Sequence, residues 1–153
     1  MIIREMIKED KDMVECFFGK MGGESRAFFN RGNGNYNFTM KFFEGEDLNT
    51  KFFIAEENGE MLGYVFLMDI NTLIPLLGIA VNEDYKGKGI GFKLMKYAEE
   101  YSIDHKKGGI VLTTHTANIR GQSLYEKCGF SKIGTHGASG EFFYMKKFPD
   151  NNQ

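Results

Sequence analysis

Cysteine is scarce in this chain. Of 153 residues only Cys16 and Cys128 carry a thiol. Neither belongs to a C-x-x-C pair or has a histidine beside it in sequence, which leaves no disulfide framework and no metal-ligand spacing. Both are expected as reduced thiols in a cytoplasmic protein, and no metal site is expected. Charge of one sign is lacking too: Lys+Arg 19 against Asp+Glu 21 leaves a formal net charge of −2. Without a net basic field there is nothing to favour nucleic acid as a partner. No uninterrupted apolar run is long enough to span a bilayer, and the opening Met-Ile-Ile-Arg-Glu-Met does not read as a signal peptide, so no membrane partner is expected. Two phosphate-binding signatures are also missing. There is no G-x-x-x-x-G-K-[ST] string, and Gly87-Lys88-Gly89-Ile90-Gly91 reads G-x-G-x-G where a dinucleotide fingerprint needs G-x-G-x-x-G.

What is present is the composition of a globular enzyme-sized unit, 42% hydrophobic with 14% aromatics. Residues 1–153 are expected to form a single domain, with no repeat and no linker. The most informative stretch is Leu77 to Glu100, LGIAVNEDYKGKGIGFKLMKYAEE, where an apolar run meets a glycine-rich turn that opens into an amphipathic helix. Glycine backbones at 87, 89 and 91 can bring successive N–H groups close to an anion, and the helix behind them aims its positive dipole end at the same point.

The spacing resembles the coenzyme A loop of the GNAT superfamily of N-acetyltransferases, [RQ]-x-x-G-x-[GA], with Lys86, Gly89 and Gly91 in its three fixed positions. Lysine in the first slot keeps the charge of arginine and loses its planar fork. A second string, Asn118 to Phe130 or NIRGQSLYEKCGF, is similar to that superfamily's N-x-x-[AG]-x-x-L-Y-x-x-x-G-F at Asn118, Gly121, Leu124, Tyr125, Gly129 and Phe130. The resemblance covers residues 50 to 148. It implies an α/β (α+β) fold: a mostly antiparallel mixed sheet with one parallel, splayed strand pair and flanking helices.

The order of elements read from the residues agrees. Ile2 to Met6 suits a strand, and Lys8 to Met21 a helix with Val14, Phe17, Phe18 and Met21 on one face. Gly22-Gly23 stops it. Ser25 can cap a second helix through Phe28 and Phe29, after which Arg31 to Asn37 reads as loop, with helix or turn again up to Glu44. Lys51 to Glu57 and Glu60 to Ile70 form a hairpin about Asn58-Gly59. Leu73 to Val81 follows as a strand in which Pro75 and Gly78 predict either a bulge or a kinked edge. Gly89 to Asp104 is a long helix, Gly109 to His115 a strand, Asn118 to Lys127 a helix, and Phe130 to Thr135 with Glu141 to Phe148 a closing strand pair. The helical crossover makes the strands ending at Val81 and starting at Gly109 parallel.

The resemblance implies acetyl-CoA as cosubstrate, with its pantetheine arm against the backbone of Ile79, Ala80 and Val81. Its phosphates would lie on Lys86, Gly87, Lys88, Gly89, Ile90, Gly91 and Phe92, and Asn118 would meet the pantetheine or simply cap its helix. Tyr125 takes the position of the family's acid; as an aromatic on a helix it also fits plain core packing. A backbone N–H near Ile79 or Ala80 would serve the oxyanion. Related peptide acetyltransferases carry a glutamate base where this chain has Thr113, so His115 is the expected base, with Glu141, Asp69 and Glu56 as fallbacks. The acceptor, an amine of a small molecule or peptide, is expected near Phe28, Phe29, Tyr36, Phe38 and Tyr144, with Glu24, Glu44, Glu46 and Asp47 as attractants for a cation. A homodimer stays open. So does a second function, a CoA-binding sensor with little turnover, and a nucleotide-phosphate-binding protein is a third, weakened by the missing glycine spacings.

Overall fold

The computed structural model describes residues 1–21, 34–85 and 87–149. The expected Gly22-Gly23 stop, the Ser25 helix with Phe28 and Phe29, Glu24 and the loop residue Lys86 lie outside the described residues. In chain order the elements are β1 (Ile2–Glu5), α1 (Lys11–Gly19), α2 (Gly34–Phe43), β2 (Thr50–Glu57), β3 (Glu60–Met68), β4 (Leu76–Val81), α3 (Ile90–Asp104), β5 (Gly109–Thr114), α4 (Ile119–Lys127), β6 (Ser131–Thr135) and β7 (Phe142–Lys147), with single 3-10 turns at Lys8–Asp10 and Glu83–Tyr85. The seven strands form one sheet in the order β1-β2-β3-β4-β5-β7-β6. Only β4 and β5 run parallel.

Alternation along the strands creates two cores, one on each face of the sheet. Phe52 and Ile54 point to the side covered by α1 and α2, with Val14, Phe17, Phe18, Tyr64 and Phe66. Phe53 and Ala55 point to the other side, where Leu94, Met95 and Ala98 of α3 and Tyr125 of α4 close over Leu112 and Tyr144. The phenylalanine doublet Phe52-Phe53 is thus one side chain for each core. The hairpin turn is as expected: Asn58 and Gly59 have φ of 53° and 77°, the left-handed pair that matches the twist of the two strands.

Three elements differ from the sequence reading. The first helix starts at Lys11, because Asp10 leaves the helical surface to bind Arg4: its two carboxylate oxygens accept from Nη1 at 2.9 Å and Nη2 at 2.8 Å, and one also accepts from the Ile7 N–H at 2.8 Å. The helix α2 begins inside the stretch expected as loop, since its buried and half-buried face from Tyr36 to Phe43 outweighs the polar composition of Gly34 to Asn37. The strand β4 starts at Leu76 and carries no bulge; its register against β3 runs unbroken from Met68↔Leu76 to Gly63↔Val81. Pro75 precedes the strand, where its missing N–H costs no ladder bond. Gly78 answers to packing: a Cβ there would collide with the Phe66 ring.

The parallel pair meets at one point, Leu76 opposite Val111. Around that point the Val111 N–H donates to the Pro75 carbonyl at 3.1 Å and the Gly108 N–H to the Leu73 carbonyl at 2.8 Å. The Lys107 ammonium clamps the same end, donating to the carbonyls of Ile70 and of Thr72, the latter at 2.9 Å. Beyond Leu76 and Val111 the two strands part, and the sheet opens as a V towards the start of α3.

Candidate active site

The open half of the V continues into a cleft of about 300 Å³ between β4, α3 and α4. One hydrogen bond fixes which backbone groups of β4 face it. The Asn82 N–H donates to the Leu62 carbonyl at 2.8 Å, and the direction of bonding alternates along a strand. Ala80 and Gly78 therefore turn their backbone groups to β3, whereas the N–H and C=O of Ile79 and Val81 face the gap. Of the two residues expected near an oxyanion, Ile79 turns its N–H to the gap and Ala80 turns its own to β3, both lining the cleft.

Past β4, the chain turns on Gly87 and Gly89, with φ of +84° and +80°. Gly89 is the N-cap of α3 in the left-handed region and makes no side-chain cap, so the first-turn N–H groups have no internal acceptor and point outward. Gly91 serves a different end: a Cβ on it would lie 3.1 Å from Leu124, so its absence lets α4 pack against the start of α3. The cleft takes in Ile79, Ala80, Val81, Gly87, Gly89, Ile90, Gly91, Phe92, Asn118 and Tyr125 together. Lys88 is outside its lining, with its ammonium 5.3 Å from the centre of the Tyr85 ring.

Tyr125 is buried, and burial pushes its phenol well above the ordinary value, against a smaller lowering influence of the Thr114 hydroxyl. The Thr114 hydroxyl in turn accepts from Nδ2 of Asn118 at 3.2 Å, while Oδ1 of Asn118 accepts from the Gly121 N–H at 3.0 Å and caps α4. Thr114 stands between the other two: its hydroxyl accepts from Asn118 and favours the charged form of the Tyr125 phenol against burial.

The model of the acetyltransferase (GNAT) family matches residues 15–130. This chain belongs to the GNAT acetyltransferase family. Acetyl transfer to an amine is the family's general reaction. Among its relatives, the streptothricin acetyltransferase of Escherichia coli is 33% identical over 76 residues, 49% of this chain and 44% of that protein. The N-alpha-acetyltransferase of Sulfurisphaera tokodaii is 27% identical over 135 residues, 75% of this chain and 78% of that one. The chain thus spans less than half the length of the streptothricin enzyme. The same fold occurs in the PaiA N-acetyltransferase of Thermoplasma acidophilum, solved in complex with coenzyme A: TM-score 0.77, 21% identity, 96% of this chain and 98% of that one covered.

The cleft of this GNAT protein suits a polyanion such as coenzyme A. The charged side chains in its lining are Arg120 and Lys127, with no carboxylate among the described residues there. Neither cation was singled out from sequence, although Arg120, Leu124 and Lys127 repeat at helical spacing and all three reach the cleft. Thr114 was passed over as well, between Thr113 and His115. Period-two alternation would have found it, since Ile110, Leu112 and Thr114 are buried while Val111 and Thr113 between them are only half-buried.

The expected bases stand apart. His115 is not in the cleft lining, and its Nδ1 accepts from the Ala117 N–H at 3.0 Å, which in the neutral ring leaves the proton on Nε2. Glu56 is bound by Arg4, whose Nε donates to it at 3.0 Å. Asp69 sits at the closed end of the V, where its carbonyl accepts from Thr72. Glu141 precedes β7 and adds a small raising effect at Tyr125. Of the residues expected around an acceptor, Tyr144 is fully buried on the α3/α4 side with its hydroxyl donating to Glu126 at 2.9 Å, which makes it core. Tyr36 and Phe38 pack in the other core, and Glu44, Glu46 and Asp47 are solvent-exposed beyond α2.

Proposed function

We propose that this chain transfers the acetyl group of acetyl-CoA to a primary amine of a small molecule or peptide by direct attack in a ternary complex. The observation that carries the reading is the meeting, in one cleft, of an anion cradle, a strand edge facing open space and a buried phenol. Acetyl-CoA supplies the thioester: the amine nitrogen bonds to the acyl carbon, the C–S bond breaks and sulfur leaves as thiolate. The first-turn N–H groups of α3 hold the diphosphate. The Ile79 N–H donates to the carbonyl oxygen as it gains charge, a contact of the kind worth about 2.7–4 kcal/mol in a transition state.

Tyr125 faces the leaving sulfur. With its phenol raised by burial, and a thiol titrating near about 8.5, complete transfer of its proton runs uphill. Its role is therefore hydrogen-bond donation to the thiolate, aimed by Thr114 and Asn118, while the proton that ends on sulfur comes from the amine through water. The amine must be neutral to attack. Water in the cleft takes that proton, because His115 can accept one only at Nδ1, which the Ala117 N–H already occupies.

The test is Tyr125→Phe. We expect turnover to fall by about 10- to 100-fold with calorimetric affinity for acetyl-CoA within about twofold of the parent. A proportional loss of both would remove the assigned role, and absence of acetyl-CoA binding by the parent would remove the function. Thr113 in the position of the glutamate base favours a second reading, a CoA-binding sensor. Tight binding without thiol release over a broad amine panel would establish it.

A further inference from the structure

We propose that Lys96 and Lys127, both held against the Phe92 ring, form a subsite for a phosphomonoester and make this chain select CoA over 3′-dephospho-CoA; the inference rests on the acetyl-CoA reading above. The ammonium of Lys127 lies 5.1 Å and that of Lys96 5.5 Å from the centre of the Phe92 ring. Phe92 belongs to the first turn of α3, next to the diphosphate cradle, and it lines the same cleft as Lys127. Two like charges held near one aromatic ring repel each other, and a dianion bound beside them offsets that repulsion.

The partners of these cations support the assignment. Lys96 is 3.6 Å from Oε2 of Glu99, whose other oxygen is bound at 2.6 Å by Lys146, so one carboxylate is shared by two ammonium groups. Among the described residues Lys127 has no carboxylate within ion-pair distance, and neither has Arg120, two turns earlier on the same face of α4. Arg120 stands in the first turn of its helix, where a cation opposes the macrodipole. Arg120 kept at that cost, with Lys127 on the same face and no carboxylate beside either among the described residues, points to an anion outside the chain. Phe92 acts as a positioning residue, since resting the ammonium groups on its ring restricts lysine chains that would otherwise lose much rotamer freedom on binding.

The experiment is calorimetric titration of the full chain with CoA and 3′-dephospho-CoA, for the parent and for Lys127→Ala, Lys127→Arg and Phe92→Leu. The parent should prefer CoA by about tenfold, the yield of two partly exposed charge-assisted contacts. Lys127→Ala should shrink the preference to about threefold or less with unchanged affinity for the dephospho form, Lys127→Arg should restore it, and Phe92→Leu should reduce it in part. Raising the salt concentration should narrow the preference of the parent. Equal affinity of the parent for both compounds overturns this inference and leaves the acetyltransferase reading standing. Binding of neither compound overturns that reading and this one with it.

Discussion

Removing the Thr114 hydroxyl while keeping its shape, as in Thr114→Val, tests the bonded pair behind Tyr125. Thr114 is buried. One hydrogen bond disappears, that from Asn118 Nδ2 at 3.2 Å, and with it the influence of the threonine hydroxyl on the phenol. Asn118 is half-buried and Tyr125 lines the cleft, so both recover some hydration. The stability loss should be about 0.5–1.5 kcal/mol, the net worth of one hydrogen bond. On turnover the effect is aim: if the phenol loses about 1.4 kcal/mol of transition-state contact, the rate falls about tenfold. Urea unfolding measures the first quantity, and thiol release at saturating acetyl-CoA the second. Thr114→Ser, which keeps the hydroxyl, should restore both in large part. In the double variant Thr114→Val with Tyr125→Phe, the loss in turnover should be close to that of Tyr125→Phe alone, because threonine acts through the tyrosine. Full turnover in Thr114→Val, alongside a strong defect in Tyr125→Phe, would refute the reasoning.

Gly78→Ala should destabilise the protein by about 1–3 kcal/mol through overpacking, and adding Phe66→Leu should recover part of the loss, measured as a coupling energy in urea. Acid should act through Asp10: burial alone would raise its pKa, but the bonds from Arg4 and the Ile7 N–H win and hold it below the ordinary value. A carboxyl lowered in the folded state contributes stability that is present above its unfolded value near about 4 and lost as pH falls through the folded one. Asp10→Asn should therefore flatten the acid limb of stability. Tyr125 is raised, so activity should show no alkaline limb from it below about pH 10, and stability should decline only above that value, as the unfolded phenol ionises first.

Much of this was legible in the sequence because the deciding signals are local. Asn58-Gly59 sets a hairpin through its own dihedral preferences, and the spacing of Gly87, Gly89 and Gly91 before an apolar helix marks the cradle. The splayed pair followed from a crossover and a family likeness. What was not legible depends on partners distant in sequence. Pro75 is explained by its carbonyl accepting from the Val111 N–H across the parallel pair, and Gly78 by the Phe66 ring on the neighbouring strand. Tyr144 carried an aromatic's usual ambiguity between core and site, and only Glu126 and the neighbouring helices resolve it as core. His115 falls just past the end of β5, and a bond from the Ala117 N–H within its own turn occupies its Nδ1.

The closed end of the V, with Leu73, Lys107 and Gly108, makes the two half-sheets a lever. From Leu76 to Val81 the strand runs roughly 17 Å, so each degree of rotation at the fulcrum moves the far tip by about 0.3 Å, and a few degrees reach the displacement of about 1 Å that can cost a reaction a hundredfold. Substitutions around Lys107, far from any reacting atom, are where catalytic output should be most easily tuned without touching the chemistry itself.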